Sequence, residues 1–231
     1  DVGCGIGSVS LLLAEAVGPS GQVAGLDTCP EFLDLARGAT AQAGLSERVT
    51  FREGSMNRLP FDSASFDWVW SADCVGYPTR DPVPLMQELA RVVKPGGLVS
   101  FLIWSHQQLL PGYPLLEARL YATSVGMAPF ASDMRPGLHP LRALGWLREA
   151  RLAEPAAQAF AGSAAAPLSD GLYRGLASLI EMRWPGAISE LSKEDGEEYQ
   201  RLCRPDSPDY ILKLPDYYAF YVYTLFTAKV V

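Results

Sequence analysis

The chain has 231 residues, 48% hydrophobic and 19% charged, with a formal net charge of −7, which describes a globular protein long enough to bury most of its apolar surface in one core. An acidic balance without any basic run disfavours nucleic acid, whose partners cluster Lys and Arg, and no stretch reaches the roughly 18 consecutive apolar residues of a membrane helix. The cysteines at positions 4, 29, 74 and 203 show neither zinc spacing nor a disulfide framework, so no metal and a cytoplasmic setting are the expectation.

The chain opens on Asp1-Val2-Gly3-Cys4-Gly5-Ile6-Gly7. Glycines crowded between a strand and a helix let the backbone approach a ligand that any Cβ would push away. Only Asp1 and Val2 precede this turn where a buried strand is expected, which predicts polypeptide upstream of Asp1. A helix follows from Ser8 to Val17, then a strand from Gln22 to Leu26 whose end carries Asp27. A carboxylate there can accept two ribose hydroxyls, and it can equally cap the next helix. The dinucleotide fingerprint needs its last glycine at the sixth place, where Ser8 stands, so the spacing opposes an NAD-type oxidoreductase.

Pro30 launches a second helix that ends near Gly44, and strands are expected at Val49 to Arg52, Phe66 to Trp70 and Leu98 to Trp104. A helix with the apolar face Leu85, Met86, Leu89, Val92 and Val93 precedes the last of them. Asp81 and Pro82 start it, and Lys94-Pro95-Gly96-Gly97 is expected to stop it. Strand and helix alternating in this way imply a parallel sheet.

Gln107 to Phe130 reads as a helical excursion, and Leu168 to Cys203 as two helices on either side of Trp184-Pro185-Gly186. Residues Tyr218 to Lys229 alternate as a last, antiparallel strand. The organisation expected is a single domain over residues 1–231. Its cofactor half is 1–104, its helical insertions fall at about 107–130 and 168–203, and its final strand spans about 218–230. Aromatic residues in the insertions, among them Tyr113, Tyr121, Tyr173, Trp184 and Tyr199, fit a lid over an apolar or aromatic small molecule, although such residues also simply pack.

Four blocks, in order, resemble the class I S-adenosylmethionine-dependent methyltransferases, especially the small-molecule group related to ubiquinone and menaquinone biosynthesis. They are Asp1 to Gly7; Gly25-Leu26-Asp27-Thr28-Cys29-Pro30-Glu31; Arg52 to Met56 leading into Leu59-Pro60-Phe61-Asp62-Ser63-Ala64-Ser65-Phe66-Asp67; and Glu88-Leu89-Ala90-Arg91-Val92-Val93-Lys94-Pro95-Gly96-Gly97. The resemblance covers residues 1 to about 104 well and Tyr217 to Val230 loosely.

It implies an α/β, Rossmann-like, seven-stranded and mostly parallel sheet with an antiparallel last strand, helices on both faces and helical lid insertions. By this resemblance Arg142 to Leu152 is expected to hold a helix and the sixth strand. It also implies S-adenosyl-L-methionine as cofactor, S-adenosyl-L-homocysteine as product, and methyl transfer to a small molecule. By the same resemblance Gly3, Cys4 and Gly5 lie against the methionine portion, Asp1 reaches its amino group, Asp27 takes the ribose, and Thr28 flanks the adenosine. Ser55 stands where the family usually has an aspartate for the adenine amino group, leaving a weaker, neutral acceptor. Met56 offers its amide to the ring or fills the core, and Ser71 ends a strand on the ligand side.

Methyl transfer is an in-line displacement that needs positioning and exclusion of water more than an invariant catalytic residue. An acceptor hydroxyl or acidic carbon still needs a base. His106, two residues after the Leu98 to Trp104 strand, is the candidate, while His139 reads as a helix start. Asp73 and Tyr77, in the loop after the fourth strand, could touch substrate or merely be exposed. Tyr77, Trp104 and Tyr113 are the candidate acceptor contacts. A non-catalytic S-adenosylmethionine-binding protein shares every one of these features, and the oligomeric state is not encoded legibly.

Overall fold

A computed structural model describes residues 1–77, 81–127 and 135–231. In chain order its main elements are α1 (Ser8–Ala16), β1 (Val23–Asp27), α2 (Pro30–Gln42), β2 (Val49–Glu53), β3 (Phe66–Ala72), α3 (Pro82–Val92), β4 (Val93–Gln108), α4 (Pro114–Tyr121) and α5 (Ser124–Met127), then α6 (Ala143–Glu149), β5 (Ala153–Ala165), α7 (Asp170–Arg183), α8 (Lys193–Cys203) and β6 (Tyr218–Lys229). Expected Phe130, at the end of the first excursion, lies outside the described residues.

The elements form where local chemistry dictates. Proline at the first position of α2 and α3 supplies a helical φ at no hydrogen-bond cost. Asp81 caps α3 by accepting the Val83 N–H at 3.0 Å. The buried positions of α3, among them Leu85, Met86, Leu89 and Val92, recur at helical spacing and turn one stripe inward.

β1 and β2 pair in parallel from Val23↔Val49 to Asp27↔Glu53. β3 and β4 pair in parallel, with Trp68 opposite Leu98 and Ala72 opposite Leu102. The four-stranded sheet has the order β3-β4-β6-β5. β6 runs against β4: Gly96 and Gly97 exchange backbone bonds with Val230 at 2.8 and 2.9 Å, and farther along Phe101 stacks on Phe226.

The strand count differs from expectation, six among the described residues instead of seven. The central position between β1 and β3 is held by a single residue: Val2 bridges Leu26 in parallel, and its N–H donates to the Trp70 carbonyl at 2.8 Å. Three further boundaries move. Lys94 to Gly97 does not separate helix from strand, because β4 begins at Val93 with Gly96 at φ 82°. β4 then continues to Gln108, so His106 lies within the strand rather than beyond it. The strand expected inside Arg142 to Leu152 begins only at Ala153, after α6.

The described residues divide into two compact units. The first comprises Asp1–Trp104, Pro136–Ala159 and Thr224–Val231. Its sheet is covered by two separate apolar clusters. Leu26, Val69, Val99 and Phe101 pack with Met86 and Leu89 of α3 and Trp146 of α6, whereas Val23, Val49 and Phe51 pack with Ala14 of α1 and Leu33 and Ala36 of α2. Val23 and Leu26, of opposite parity in β1, face opposite sides, so helices cover both faces. Full burial of one such leucine or phenylalanine contributes about 1.5–3 kcal/mol.

The second unit comprises Ser105–Arg135 and Phe160–Tyr223. Its core gathers Leu109, Leu120, Ile180, Trp184, Tyr210 and Tyr217. Within it the buried Glu117 accepts hydrogen bonds from the Leu109 and Leu110 N–H groups at 2.7 and 3.0 Å and from the Gln108 amide at 2.5 Å. Burial raises the Glu117 pKa above the ordinary carboxylate value, against the pull of those donors. Among the described residues no helix is long and apolar enough to cross a membrane.

Candidate active site

The glycine turn sits at the carboxyl ends of the parallel strands, where ligands bind in open α/β sheets. Gly3 has φ 76° and Gly7 φ 85°, a left-handed backbone that side chains resist. Space is short as well: a Cβ on Gly3 would lie 2.4 Å from Cys74 Sγ, and one on Gly7 would lie 2.9 Å from the Ala36 Cβ. Gly5 differs, because its missing Cβ would point into open space. The turn is thus packed from behind at Gly3 and Gly7 and open at Gly5, a cradle with one free side. α1 starts from it with no side chain capping its first turn and no acidic residue there, so its free N–H groups favour an anion.

Asp27 closes the turn. Its Oδ2 accepts the Gly5 N–H at 2.8 Å and its Oδ1 accepts the Cys29 N–H at 3.0 Å. The second bond is the helix-cap role, since Cys29 is the N-cap of α2. Both roles coexist because each carboxylate oxygen has two lone pairs, so ligand hydroxyls can still be accepted. The charge acts on its neighbours. Burial, aided by Asp27, pushes the Cys4 thiol up to about 11, and the same two causes raise Cys74.

The other expected cofactor residues are placed as follows. Asp1 Oδ2 accepts the hydroxyl of the buried Ser10 at 2.6 Å, an anchoring of the turn onto α1. Thr28 and Ser55 are exposed beside the strand ends. The Ser55 hydroxyl receives only long contacts from Asn57, at 3.3 Å from its N–H and 3.5 Å from its side-chain amide. Met56 packs partly on the first unit's core, and its Sδ lies 3.9 Å from Cys74 Sγ, so filler and site wall are one residue. Ser71 is turned inward: its hydroxyl donates to the Val2 carbonyl at 2.7 Å and accepts the Val75 N–H at 3.3 Å.

On the acceptor side, Tyr77 and Trp104 come together through Asp73. The Trp104 N–H donates to Asp73 Oδ1 at 2.7 Å, and the Tyr77 hydroxyl lies 3.1 Å from that oxygen and 3.2 Å from the Trp104 carbonyl. His106 and Tyr113 belong to the second unit. His106 is exposed, its ring 6.1 Å from that of Phe220. Tyr113 sits under Arg201, whose guanidinium carbon is 5.8 Å from the ring centre and whose Nη2 donates to the hydroxyl at 3.3 Å. His139 caps a short turn by accepting the Leu141 N–H at 3.3 Å.

A cavity of about 580 Å³ lies elsewhere in the first unit, bordered by Val23, Ala24, Arg48, Phe66, Trp68 and Trp70. Its lining lies at the amino ends of β1 and β3, opposite the ligand edge. Among the described residues no cluster of three or more His, Cys, Asp or Glu side chains gathers to hold a metal ion.

Two contacts are not legible in the sequence. Cys74 is the wall behind Gly3, a contact between residues far apart in the chain. The Glu88–Arg91 pair ties two of the sequence blocks together. Arg91 binds Glu88 at 2.8 Å and donates to the Leu59 and Phe61 carbonyls at 3.1 and 2.9 Å, while Glu88 accepts the Leu59 N–H at 2.7 Å. Hydrogen bonding from Arg91 lowers the Glu88 pKa.

Residues 1–97 match a family model described as a methyltransferase domain. The demethylmenaquinone methyltransferase of Lactococcus lactis subsp. lactis (strain IL1403) is 38% identical over 112 residues, which cover 47% of this chain and 42% of that protein. The norajmaline N-methyltransferase of Rauvolfia serpentina is 32% identical over 117 residues, covering 51% and 39%. The chain therefore spans less than half the length of these relatives. The YcgJ protein of Bacillus subtilis superposes with a TM-score of 0.56 at 16% identity, over 100% of this chain and 91% of that one, a likeness of fold. A glycine turn closed by an acidic strand end, within a matched domain on this α/β sheet, makes residues 1–97 similar to a methyltransferase domain.

Proposed function

We propose that the protein transfers a methyl group from S-adenosyl-L-methionine to a small apolar or aromatic molecule, leaving S-adenosyl-L-homocysteine. The observation that carries this reading is the 2.8 Å bond from the Gly5 N–H to Asp27 beside the open face of the cradle. Gly3, Cys4 and Gly5 would take the methionine portion, with Asp1 at its amino group. Asp27 would take the ribose, and Thr28, Ser55 and Met56 the adenosine. Ser71 would act one step back, by holding Val2 and Val75 in place around the turn. The bound cofactor supplies a methyl carbon made electrophilic by its positively charged sulfur. The protein orients the acceptor in line with it and excludes water, the two contributions that displacement chemistry needs.

Tyr77 and Trp104, both in the first unit, are the proposed acceptor contacts. Calorimetric titration tests the cofactor reading: S-adenosylmethionine and S-adenosylhomocysteine should bind and NAD should not. Binding of NAD without S-adenosylmethionine would overturn it in favour of an oxidoreductase. Labelled-methyl transfer into a pool of small phenols, quinols and amines tests catalysis, and tight cofactor binding without transfer to any of them would leave a non-catalytic binding protein.

A further inference from the structure

The loop after β3 is fixed against the glycine turn at two points. Ser71 holds the Val2 carbonyl at 2.7 Å, and Cys74 Sγ fills the place a Gly3 Cβ would take, 2.4 Å away. Asp73 lies between these two anchors. It is exposed and has φ 47°, a left-handed backbone outside glycine. The other non-glycine residues of positive φ among those described are Ala64, Arg151 and Glu154, before β3 and around the start of β5, away from the carboxyl edge. Strained backbone of this kind is retained where its surroundings impose it, often at a working site.

Here the imposing contacts are visible: the Asp73 N–H donates to the Leu102 carbonyl at 2.9 Å, and Oδ1 receives the Trp104 N–H at 2.7 Å. The Tyr77 hydroxyl supplies a second contact to Oδ1 at 3.1 Å. Oδ2 accepts no hydrogen bond from a described residue, so the carboxylate is aimed by one oxygen and keeps the other for a ligand.

We propose that Asp73 is a catalytic residue on the acceptor side, its Oδ2 taking the proton of the hydroxyl or amine that is methylated. This rests on the methyltransferase reading above. A lone pair of the acceptor oxygen or nitrogen forms the new bond to the methyl carbon as the carbon–sulfur bond breaks. The sulfur leaves as a neutral thioether, the acceptor's proton passes to Asp73 Oδ2, and from there it returns to solvent. Trp104, through its backbone N–H, and Tyr77 hold the carboxylate at the angle this needs. The loop's two anchors place it within one residue of the part of the turn that would face the reacting end of the cofactor.

Asp73→Asn is the informative variant. Asparagine tolerates left-handed backbone, and its carbonyl oxygen can still receive Trp104 and Tyr77, so a merely structural role survives the change while the proton acceptor is lost. Wild type and variant are compared with labelled S-adenosylmethionine and phenol, 1-naphthol and norajmaline as acceptors, alongside titration with S-adenosylhomocysteine. Expected is a fall in kcat of about 100- to 10,000-fold, the usual weight of general base catalysis, with S-adenosylhomocysteine affinity within about twofold of wild type. Tyr77→Phe should lower kcat less. An Asp73→Asn enzyme that keeps wild-type kcat overturns the proposal while leaving the methyltransferase reading intact. No transfer by wild type to any of the three overturns it together with the acceptor chemistry it assumes.

Discussion

Replacing Gly3 with alanine sets two costs against each other that a double variant can separate. At φ 76° an alanine pays the left-handed backbone penalty, about 1–2 kcal/mol. Its Cβ would also lie 2.4 Å from Cys74 Sγ and 2.6 Å from Cys74 Cβ, an overpacking that typically adds about 1–3 kcal/mol. Gly3→Ala should therefore destabilise by about 2–5 kcal/mol in urea unfolding. Cys74→Gly removes both clashing atoms. In that background the same alanine should cost only the backbone part, so the cycle should show a coupling of about 1–3 kcal/mol between positions 3 and 74. A coupling near zero would refute the claim that Cys74 is what makes Gly3 sterically obligatory.

Other expectations follow from the same contacts. Asp27→Ala should weaken S-adenosylmethionine binding by more than about 1.5 kcal/mol, and it should also lower stability because the Gly5 and Cys29 N–H groups lose a charged acceptor; unchanged affinity by calorimetry would remove Asp27 from the ribose. Two carboxylates, the partly buried Glu88 and the buried Glu117, should give opposite pH slopes. Glu88, whose folded pKa is lowered, binds fewer protons folded than unfolded, so its contribution is present above the unfolded value near 4.5 and fades as pH falls through the folded one. Glu117, whose folded pKa is raised, binds more protons folded, so stability declines as pH rises from 4.5 through its folded value. Denaturation between about pH 2 and 7 should show Glu117→Gln flattening that decline and Glu88→Gln removing the acid-side loss. In thiol labelling at pH 8, Cys29 should react first, while the buried Cys4 and Cys203, pushed up to about 11 and about 12, should stay protected until unfolding.

Much of the cofactor half was legible because its signals are local. A proline at a helix start, the stripe of α3 and the apolar run ending in Asp27 each act within a few residues, and those elements fall where the pattern puts them. β5 was misplaced for the opposite reason. Its sequence, Ala-Glu-Pro-Ala-Ala-Gln-Ala-Phe-Ala-Gly-Ser-Ala-Ala, has no β-branched residue and is largely exposed, so only pairing within the sheet makes it a strand. Lys94 to Gly97 reads as a stop, yet pairing with Val230 carries the strand straight through it. At the site, the glycines and Asp27 are recognisable from spacing, but the inward turn of Ser71, the Cys74 wall and the Asp73–Trp104 bond join residues that the linear order separates.

The grip of Arg91 on the loop before β3 has a consequence for how that loop can change. Its guanidinium reaches the carbonyl oxygens of Leu59 and Phe61, and Glu88 takes the Leu59 N–H, all of them main-chain atoms that every residue but proline can offer in the same way. Much of the loop's path is thereby held through main-chain atoms. Pro60 and Asp62, which are exposed, are positions where substitution can accumulate without disturbing the path of the backbone, whereas the distant Glu88 and Arg91 cannot drift singly. For anyone regrafting this rim of the sheet, the residues to transplant as a pair are on the helix, together with the core-packed Leu59 and Phe61, while the exposed loop positions can be rewritten.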